Sequence, residues 1–355
     1  RKECEDMKNN HKPFSMHLDV SDFLPADKEE KQSLVIMRES VSFWRDGARR
    51  FRKNKIAMAS LIVIILIFIF AFILPYFYPY GYEQQIRGSE NLAPLKYSAA
   101  ELARIEAGGK VFPHFLGTDQ LGRDLTIRLM LGSRISLLVG IVASFLVLLI
   151  GSLYGSIAGY FGGKVDMIMM RVVDIIYTVP DILIIILLMV TLKYPLQDLA
   201  NNVPGFTWIN DVGIGLISIF IVFSLLYWVG MARIVRGQIL SLKEQEYVTA
   251  ARALGATHRR IIGKHLLVNC IGPLIVTTTL QIPSAIFTES FLSFVGIGVQ
   301  APMPSLGSMA SDAIGGIYSY PHRLFAPAIM ISLIILSFNL LGDGLRDAFD
   351  PKLKN

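Results

Sequence analysis

Few residues in this chain have the type and spacing that catalysis or metal binding requires. The histidines, at positions 11, 17, 114, 258, 265 and 322, show no ligand spacing on one helix face, and Cys4 and Cys270 are too few for a zinc site or a disulfide framework. The sequence has no GxxxxGK(S/T) loop for nucleotide phosphates, no HExxH motif and no GxSxG motif. We therefore expect a protein that is not an enzyme and that holds no metal and no cofactor.

The remaining candidates for chemistry are charged residues within apolar segments: Asp166, Arg171, Asp174, Asp181 and Glu289. Arg171 and Asp174 are three residues apart, which predicts an ion pair on one helix face. Glu289 has two interpretations: a group that couples transport to an ion, as secondary transporters use, or a structural carboxylate that faces the helix bundle.

The composition indicates the kind of protein that must position these groups. Of 355 residues, 53% are hydrophobic and only 17% are charged, whereas soluble domains have about 25% charged residues. The mean hydropathy is +0.50. The basic residues behind the net charge of +6 lie beside apolar segments, as membrane orientation signals do. A polytopic membrane protein is indicated.

Six apolar segments are long enough to cross a bilayer as helices, which need about 20 residues each. Their apolar character is continuous, whereas the strands of a membrane barrel alternate between polar and apolar residues. The predicted fold is therefore all-α with six transmembrane helices, within residues 56–82, 135–163, 166–192, 212–232, 266–288 and 324–342.

Basic residues cluster before the first span and in the loop 233–265, which predicts that both termini and this loop are cytoplasmic. Residues 1–32 lack the apolar core of a cleavable signal peptide. The predicted organisation is a polar cytoplasmic tail (1–32), an amphipathic interfacial helix (33–55), the first span (56–82), an extracytoplasmic loop (83–134), a core of five spans (135–345) and a cytoplasmic tail (346–355).

Two local patterns add detail. The interfacial helix has one apolar stripe, formed by Met37, Val41, Trp44, Ala48 and Phe51, although a helix packed on a soluble neighbour would show the same stripe. In the second span, Gly151, Gly155 and Gly159 form a small-residue face. Such a face suits close helix contact, either within the chain or with another subunit.

The most informative segment is the inner loop from Glu246 to His258. Residues 244–254 are rich in helix formers, and Gly255 suits the left-handed turn that ends a helix. We expect a short helix that presents Ala250, Ala251 and Ala253 beside Leu254, since small side chains allow a helix to enter a groove on a partner protein. The alternative is an ordinary connection between spans.

This segment resembles the signature of permease subunits of binding-protein-dependent ABC importers: Glu-Ala-Ala, three residues, Gly, nine residues and Ile-x-Leu-Pro. Here it reads Thr249-Ala250-Ala251, Gly255 and then His-Leu-Leu-Val at 265–268. Thr249 stands in the place of the Glu, so it cannot form that residue's ion pairs, although Glu246 lies one turn away. The Ile and the final Pro are also replaced.

A second motif narrows the resemblance to the oligopeptide and dipeptide branch. Residues 114–124, His-Phe-Leu-Gly-Thr-Asp-Gln-Leu-Gly-Arg-Asp, are similar to that branch's motif ahead of its second span. The resemblance covers about residues 45–351. It implies a type I ABC importer permease fold in a bacterial cell membrane, and a pathway for peptides formed with a second homologous permease, two ATP-binding subunits and an extracytoplasmic peptide-binding protein.

The resemblance also implies which residues couple the permease to the ATPase subunits: Glu246, Thr249, Ala250, Ala251, Arg252, Leu254 and Gly255. Nickel or glutathione uptake remains an alternative, because metal and peptide branches share these motifs. An ion-coupled secondary transporter that uses Glu289 and an intramembrane enzyme are the more distant alternatives.

Overall fold

The structure, a computed structural model, describes residues 42–349, and this part of the chain folds as helices with no named strand. Short π- and 3₁₀-helical turns at 69–76 continue α2, and turns at 261–270 join α11 to α12. The helices are α1 (Phe43–Lys53), α2 (Lys55–Phe68), α3 (Ala99–Glu106), α4 (Leu125–Phe161), α5 (Gly163–Thr178), α6 (Asp181–Asn202), α7 (Trp208–Val212), α8 (Ile214–Leu226), α9 (Trp228–Leu242), α10 (Glu246–Ala253), α11 (His258–Arg260), α12 (Ile271–Val295), α13 (Leu306–Ile314) and α14 (His322–Phe349).

Within residues 42–349, six helical segments are long and apolar enough to cross a membrane, which confirms the predicted all-α fold with six spans. They all lie in the compact unit that begins at residue 47. Spans 1 to 6 are Lys55–Tyr76, Leu125–Phe161, Asp181–Asn202, Ile214–Leu242, His258–Val295 and His322–Phe349.

Some predicted segments fall outside the described residues. They are the polar tail 1–32, the beginning of the amphipathic helix with Met37 and Val41, and residues 350–355 of the predicted C-terminal tail. The described part of the amphipathic segment is α1, whose buried residue is Gly47. A β-carbon at Gly47 would lie 2.5 Å from the ring of Phe349. The interfacial position of this helix remains a prediction.

Span 2 begins ten residues before the predicted start at 135, because charged side chains occur inside its first turns. The clearest example is Arg134, which lies inside the helix because its charge has partners there: its Nε donates to the carbonyl oxygen of Ala71 at 3.0 Å. Its guanidinium also lies over the rings of Phe72 and Tyr76, at 5.4 and 5.7 Å. The end of span 1 thus provides acceptors for this charge, which a search for charge-free segments does not anticipate.

The third span lies further along the chain than predicted. The segment 166–192 contains two helices, α5 and α6, separated at Val179 and Pro180, and only α6 is long enough to count as a span. Proline disfavours the helical conformation of the preceding residue, and Val179 is extended (φ −90°, ψ 136°). Asp181 then lies in the first turn of α6, where the helix dipole favours an acidic side chain.

The predicted ion pair between Arg171 and Asp174 does not form among the described residues. Asp174 instead accepts from Arg233 of α9 at 2.9 Å. A second acidic residue of α5, Asp166, accepts two hydrogen bonds from Arg236 of α9, the one from Nη2 at 2.6 Å. The acidic residues of α5 therefore attach it to α9, which the spacing within α5 alone cannot reveal.

The glycine face of span 2 makes its close contact within the chain. A β-carbon at Gly155 would overlap the carbonyl oxygen of Ala232, and one at Gly159 would lie 3.0 Å from that of Arg236. At Gly151 the nearest atom would be Cβ of Met231, at 2.6 Å. Of the two interpretations left open by the sequence, the structure has the intramolecular one: α4 and α9 meet backbone to backbone.

Span 2 contributes to each of the largest buried apolar clusters, so it is the central helix of the described bundle. Leu137 joins a cluster with spans 1, 5 and 6. Val139 and Ala143 belong to a second cluster with spans 3, 4 and 5. Val147 and Tyr160 belong to a third, which includes the start of span 5 and residues of α9 and α10.

Candidate functional site: the segment 246–255

The segment predicted to contact partner subunits is a short helix that ends as the sequence indicates. Helix α10 runs from Glu246 to Ala253, and Gly255 adopts the left-handed conformation with φ of 78°. The amide of Ala256 donates to the carbonyl of Ala251 at 3.0 Å, and that of Gly255 donates to the carbonyl of Arg252 at 2.9 Å. These two bonds form a Schellman motif, in which glycine avoids the strain of a positive φ.

Helix α10 has one face against its own chain and one face exposed. Val248 is fully buried and Ala251 is 8% exposed, while Leu254 is 88% exposed. Thr249 and Ala250 are also on the exposed side. The expectation that Ala250, Ala251 and Ala253 would be presented outward is therefore met by Ala250 and Ala253 but not by Ala251, which lies on the same face of α10 as the buried Val248.

Charged and aromatic side chains attach the segment to span 2. The guanidinium of Arg252 lies 5.3 Å from the ring centre of Tyr160. The hydroxyl of Tyr160 is 2.7 Å from Nδ1 of His258, at the start of span 5. The sequence gives no reason to select Tyr160, since its position in span 2 carries no signal of a contact with Arg252 or His258.

The remaining predicted site residue, Glu246, lies in the first turn of α10 and is exposed. The structure thus brings all seven predicted residues into one segment, with Thr249, Ala250 and Leu254 available at its surface. Among residues 42–349, no group of three or more His, Cys, Asp or Glu side chains is placed to hold a metal ion. The exposed surface of α10 combines the small side chains of Thr249 and Ala250 with the apolar side chain of Leu254.

Glu289, the candidate for ion coupling, is fully buried in span 5. Its carboxylate accepts from the hydroxyl of Ser136 in span 2 at 2.7 Å and from that of Ser293 at 2.8 Å. Ser293 also accepts from the amide of Val299 at 3.0 Å. This network joins span 2 to span 5 and to the loop that follows it, which favours the structural interpretation of Glu289.

The motif at 114–124 forms a buried ionisable cluster at the start of span 2. His114 is fully buried, with Nδ1 2.6 Å from Asp124 and Nε2 3.1 Å from Glu101. The ring of Tyr80 stacks on the imidazole, with 4.6 Å between ring centres. Asp124 also accepts from the amides of Thr126 and Ile127, so it caps the first turn of span 2.

Burial by itself would lower the pKa of His114, but the hydrogen bonds and charges of Asp124 and Glu101 outweigh it and raise the pKa above its usual value. Glu101 belongs to α3, which begins with a capping box: Ser98 and Glu101 each accept from the other's backbone amide. The capping box therefore also sets the position of one of the two carboxylates that face His114.

Comparison with known proteins gives consistent matches. Residues 151–355 match the family described as binding-protein-dependent transport system inner membrane component, and residues 42–94 match the N-terminal TM domain of oligopeptide transport permease C. The chain is 43% identical to the oligopeptide transport system permease protein OppC of Bacillus subtilis over 332 residues, covering 94% of this chain and 97% of that protein.

Two further relatives have similar coverage. The dipeptide transport system permease protein DppC of Bacillus subtilis is 42% identical over 333 residues, which cover 94% of this chain and 93% of that protein. The OppC protein of Haemophilus influenzae is 42% identical over 327 residues, which cover 92% and 93%. These matches extend over nearly all of each protein, so they include the spans, the 114–124 motif and the segment 246–255.

The His114 cluster predicts that the stability of the segment before span 2 depends on pH. Because the folded pKa of His114 is raised, its stabilising effect is complete below its usual pKa of about 6.5 and is lost as the pH rises through the folded value. Hydrogen exchange of residues 99–124, corrected for intrinsic rates, should therefore show less protection at pH 9 than at pH 6. In the control variant His114→Gln this pH dependence should disappear; an unchanged dependence in that variant would contradict the assignment.

Proposed function

Since the chain belongs to the binding-protein-dependent transport system inner membrane component family, we propose that it forms the membrane pathway of an ATP-driven importer of oligopeptides or dipeptides. The observation that carries this proposal is the match at 42–43% identity, over nearly the full length, to permeases named for oligopeptide and dipeptide transport. The chain is a non-catalytic subunit, and ATP hydrolysis occurs in partner subunits.

The proposed assembly contains a second homologous permease, two ATP-binding subunits and an extracytoplasmic peptide-binding protein. The binding protein delivers the peptide, and the two permeases form the pathway between them. ATP binding draws the two ATPase subunits together, and this movement changes which side of the membrane the pathway faces. A multi-pass membrane subunit with an exposed inner helix suits this role.

Helix α10 is the proposed contact with an ATPase subunit. Its exposed residues Thr249, Ala250 and Leu254 present a small surface with one prominent apolar side chain, which suits insertion into a groove. Its buried residues join α10 to the end of span 2, so a force applied to α10 also acts on that span. Glu246 and Arg252 flank the contact, and Arg252 also binds Tyr160.

The alternatives gain little support. The relatives described above are named for oligopeptides or dipeptides, and none of these three names refers to nickel or glutathione. An ion-coupled transporter would need an accessible carboxylate in the membrane, whereas Glu289 is enclosed by serine hydroxyls. The ATP-driven peptide importer is therefore the function that we propose.

We expect a change on the exposed face of α10 to uncouple transport without unfolding the permease. Ala250→Arg places a large charged side chain where the groove of a partner would close, which adds a clash and a desolvation penalty. Co-purification of the ATPase subunits and peptide uptake should both fall at least about tenfold, the effect of roughly 1.4 kcal/mol at the contact.

The matched control is Ala107→Arg, which adds the same side chain to an exposed position in the outer loop and should leave both quantities unchanged. Ala251→Arg is unsuitable for this purpose, because Ala251 is buried within the chain and its replacement would disturb folding. Wild-type values for both measurements in Ala250→Arg would reject the coupling role of α10.

The proposed orientation places residues 83–134 outside the cell and residues 233–265 inside, with both termini inside. Lys110 and Thr257 are exposed positions in these two regions. In a background without Cys4 and Cys270, a cysteine at 110 should react in intact cells with a membrane-impermeant thiol reagent, and a cysteine at 257 should react only after permeabilisation. The reverse order of labelling would contradict the orientation.

A further inference from the structure

A cavity of about 440 Å³ lies between the beginning of span 2, the loop that follows span 5 and helix α13. Apolar side chains, among them Leu121, Val299 and Met303, form part of its lining. The charged residues of its lining are Arg123, Arg128 and Asp312. Its volume is in the range of small-molecule sites, about 300 to 1,000 Å³, and two of its three charges are positive.

The side chain of Arg128 is unusual because it is buried and one of its guanidinium nitrogens has no hydrogen-bond partner in the described part of the chain. The residue is 4% exposed, and within residues 42–349 its Nη1 is buried with no hydrogen-bond partner. Its nearest carboxylate oxygens, one each from Asp119 and Asp312, are 3.6 Å away. Charge-assisted hydrogen bonds are normally about 2.7 to 2.9 Å long, so these contacts leave the guanidinium poorly satisfied.

Asp119 is already occupied by other donors. It accepts from the amides of Leu121 and Arg123 at 2.8 and 3.0 Å, and from Nε of Arg123 at 2.6 Å. Asp119 thus neutralises Arg123 and fixes its position, but it contributes only a long contact to Arg128. The cavity therefore retains the positive charge of Arg128. Apart from the long contact with Asp119, the carboxylate near this charge is that of Asp312.

Asp312 is a weak counter-ion, and its carboxylate shows where an anionic oxygen can approach both Arg123 and Arg128. Its side chain is 44% exposed, and one of its oxygens, Oδ2, lies 3.8 Å from Nη2 of Arg123 and 3.6 Å from Nη2 of Arg128. The guanidinium of Arg123, just before α4, and that of Arg128, in its first turns, thus converge on a single carboxylate oxygen without reaching it. A carboxylate that entered between them would form shorter hydrogen bonds than Asp312 does.

We propose that this cavity binds the C-terminal carboxylate of a peptide, held by Arg128 and Arg123, with Asp312 displaced toward solvent. The volume of the cavity suits a small solute such as the end of a peptide better than a large protein surface. Its apolar lining suits the side chain of the peptide's last residue. This inference rests on the proposed function, in which this end of span 2 faces the delivered peptide.

The test measures binding of trialanine and of trialanine amide to the purified full-length permease by isothermal titration calorimetry. The wild type should bind the free acid about tenfold more tightly than the amide, since only the acid forms the charge-assisted bonds. Asp312→Asn removes the competing carboxylate and should strengthen binding of the acid at least threefold, with no change for the amide. Glu106→Gln, at an exposed position outside the cavity, is the control and should behave as the wild type.

Arg128→Gln should abolish the difference between acid and amide. Because Arg128 is buried and its replacement could impair folding, the half-exposed Asp312→Asn decides the case by itself. Equal binding of acid and amide, no measurable binding of either, or an unchanged affinity in Asp312→Asn would overturn the proposal. Uptake of trialanine by the complete assembly is a separate measurement. No uptake would argue against the proposed function. Normal uptake together with equal binding of acid and amide would overturn only the inference about the cavity.

Discussion

The close contact between span 2 and α9 is the constraint on which the other features depend. In a membrane the hydrophobic effect gives helices little reason to associate, so their contact relies on close packing. Gly151, Gly155 and Gly159 remove the side chains that would separate α4 from α9. Span 2 is one continuous helix of 37 residues, about 55 Å long at 1.5 Å per residue, and its position is set by this contact.

Both ends of span 2 carry features with a proposed role. At its beginning, Asp124 caps the helix and faces His114, and Arg128 lines the cavity described above. At its other end, Tyr160 contacts Arg252 of α10, the helix that we propose as the ATPase contact. A displacement of α10 would therefore act on the same helix that carries Arg128. The charge of Glu289 inside span 5 is satisfied locally by serine hydroxyls, which allows the bundle to contain it.

The sequence predicted those features that depend on composition and local backbone conformation. Six long apolar segments follow from bilayer thickness, and the end of α10 follows from Gly255, because both are local properties. Contacts between distant segments could not be predicted. The limits of span 2 depend on acceptors from span 1 for Arg134, and the buried side of α10 depends on the cluster around span 2. The convergence of Arg123 and Arg128 on Asp312 requires the folded chain, since 184 positions separate Arg128 from Asp312.

The thermal unfolding midpoints of Gly155→Ala and Gly237→Ala test the importance of the contact between α4 and α9 most directly. Both changes add one methyl group to a helical glycine in this pair of helices, but a β-carbon at Gly155 would overlap the carbonyl oxygen of Ala232, whereas one at Gly237 has no atom within 4 Å. Gly155→Ala should lower the midpoint by several degrees, corresponding to about 1 to 3 kcal/mol of overpacking. Gly237→Ala should leave it equal or slightly higher. Equal midpoints for the two variants would contradict the account.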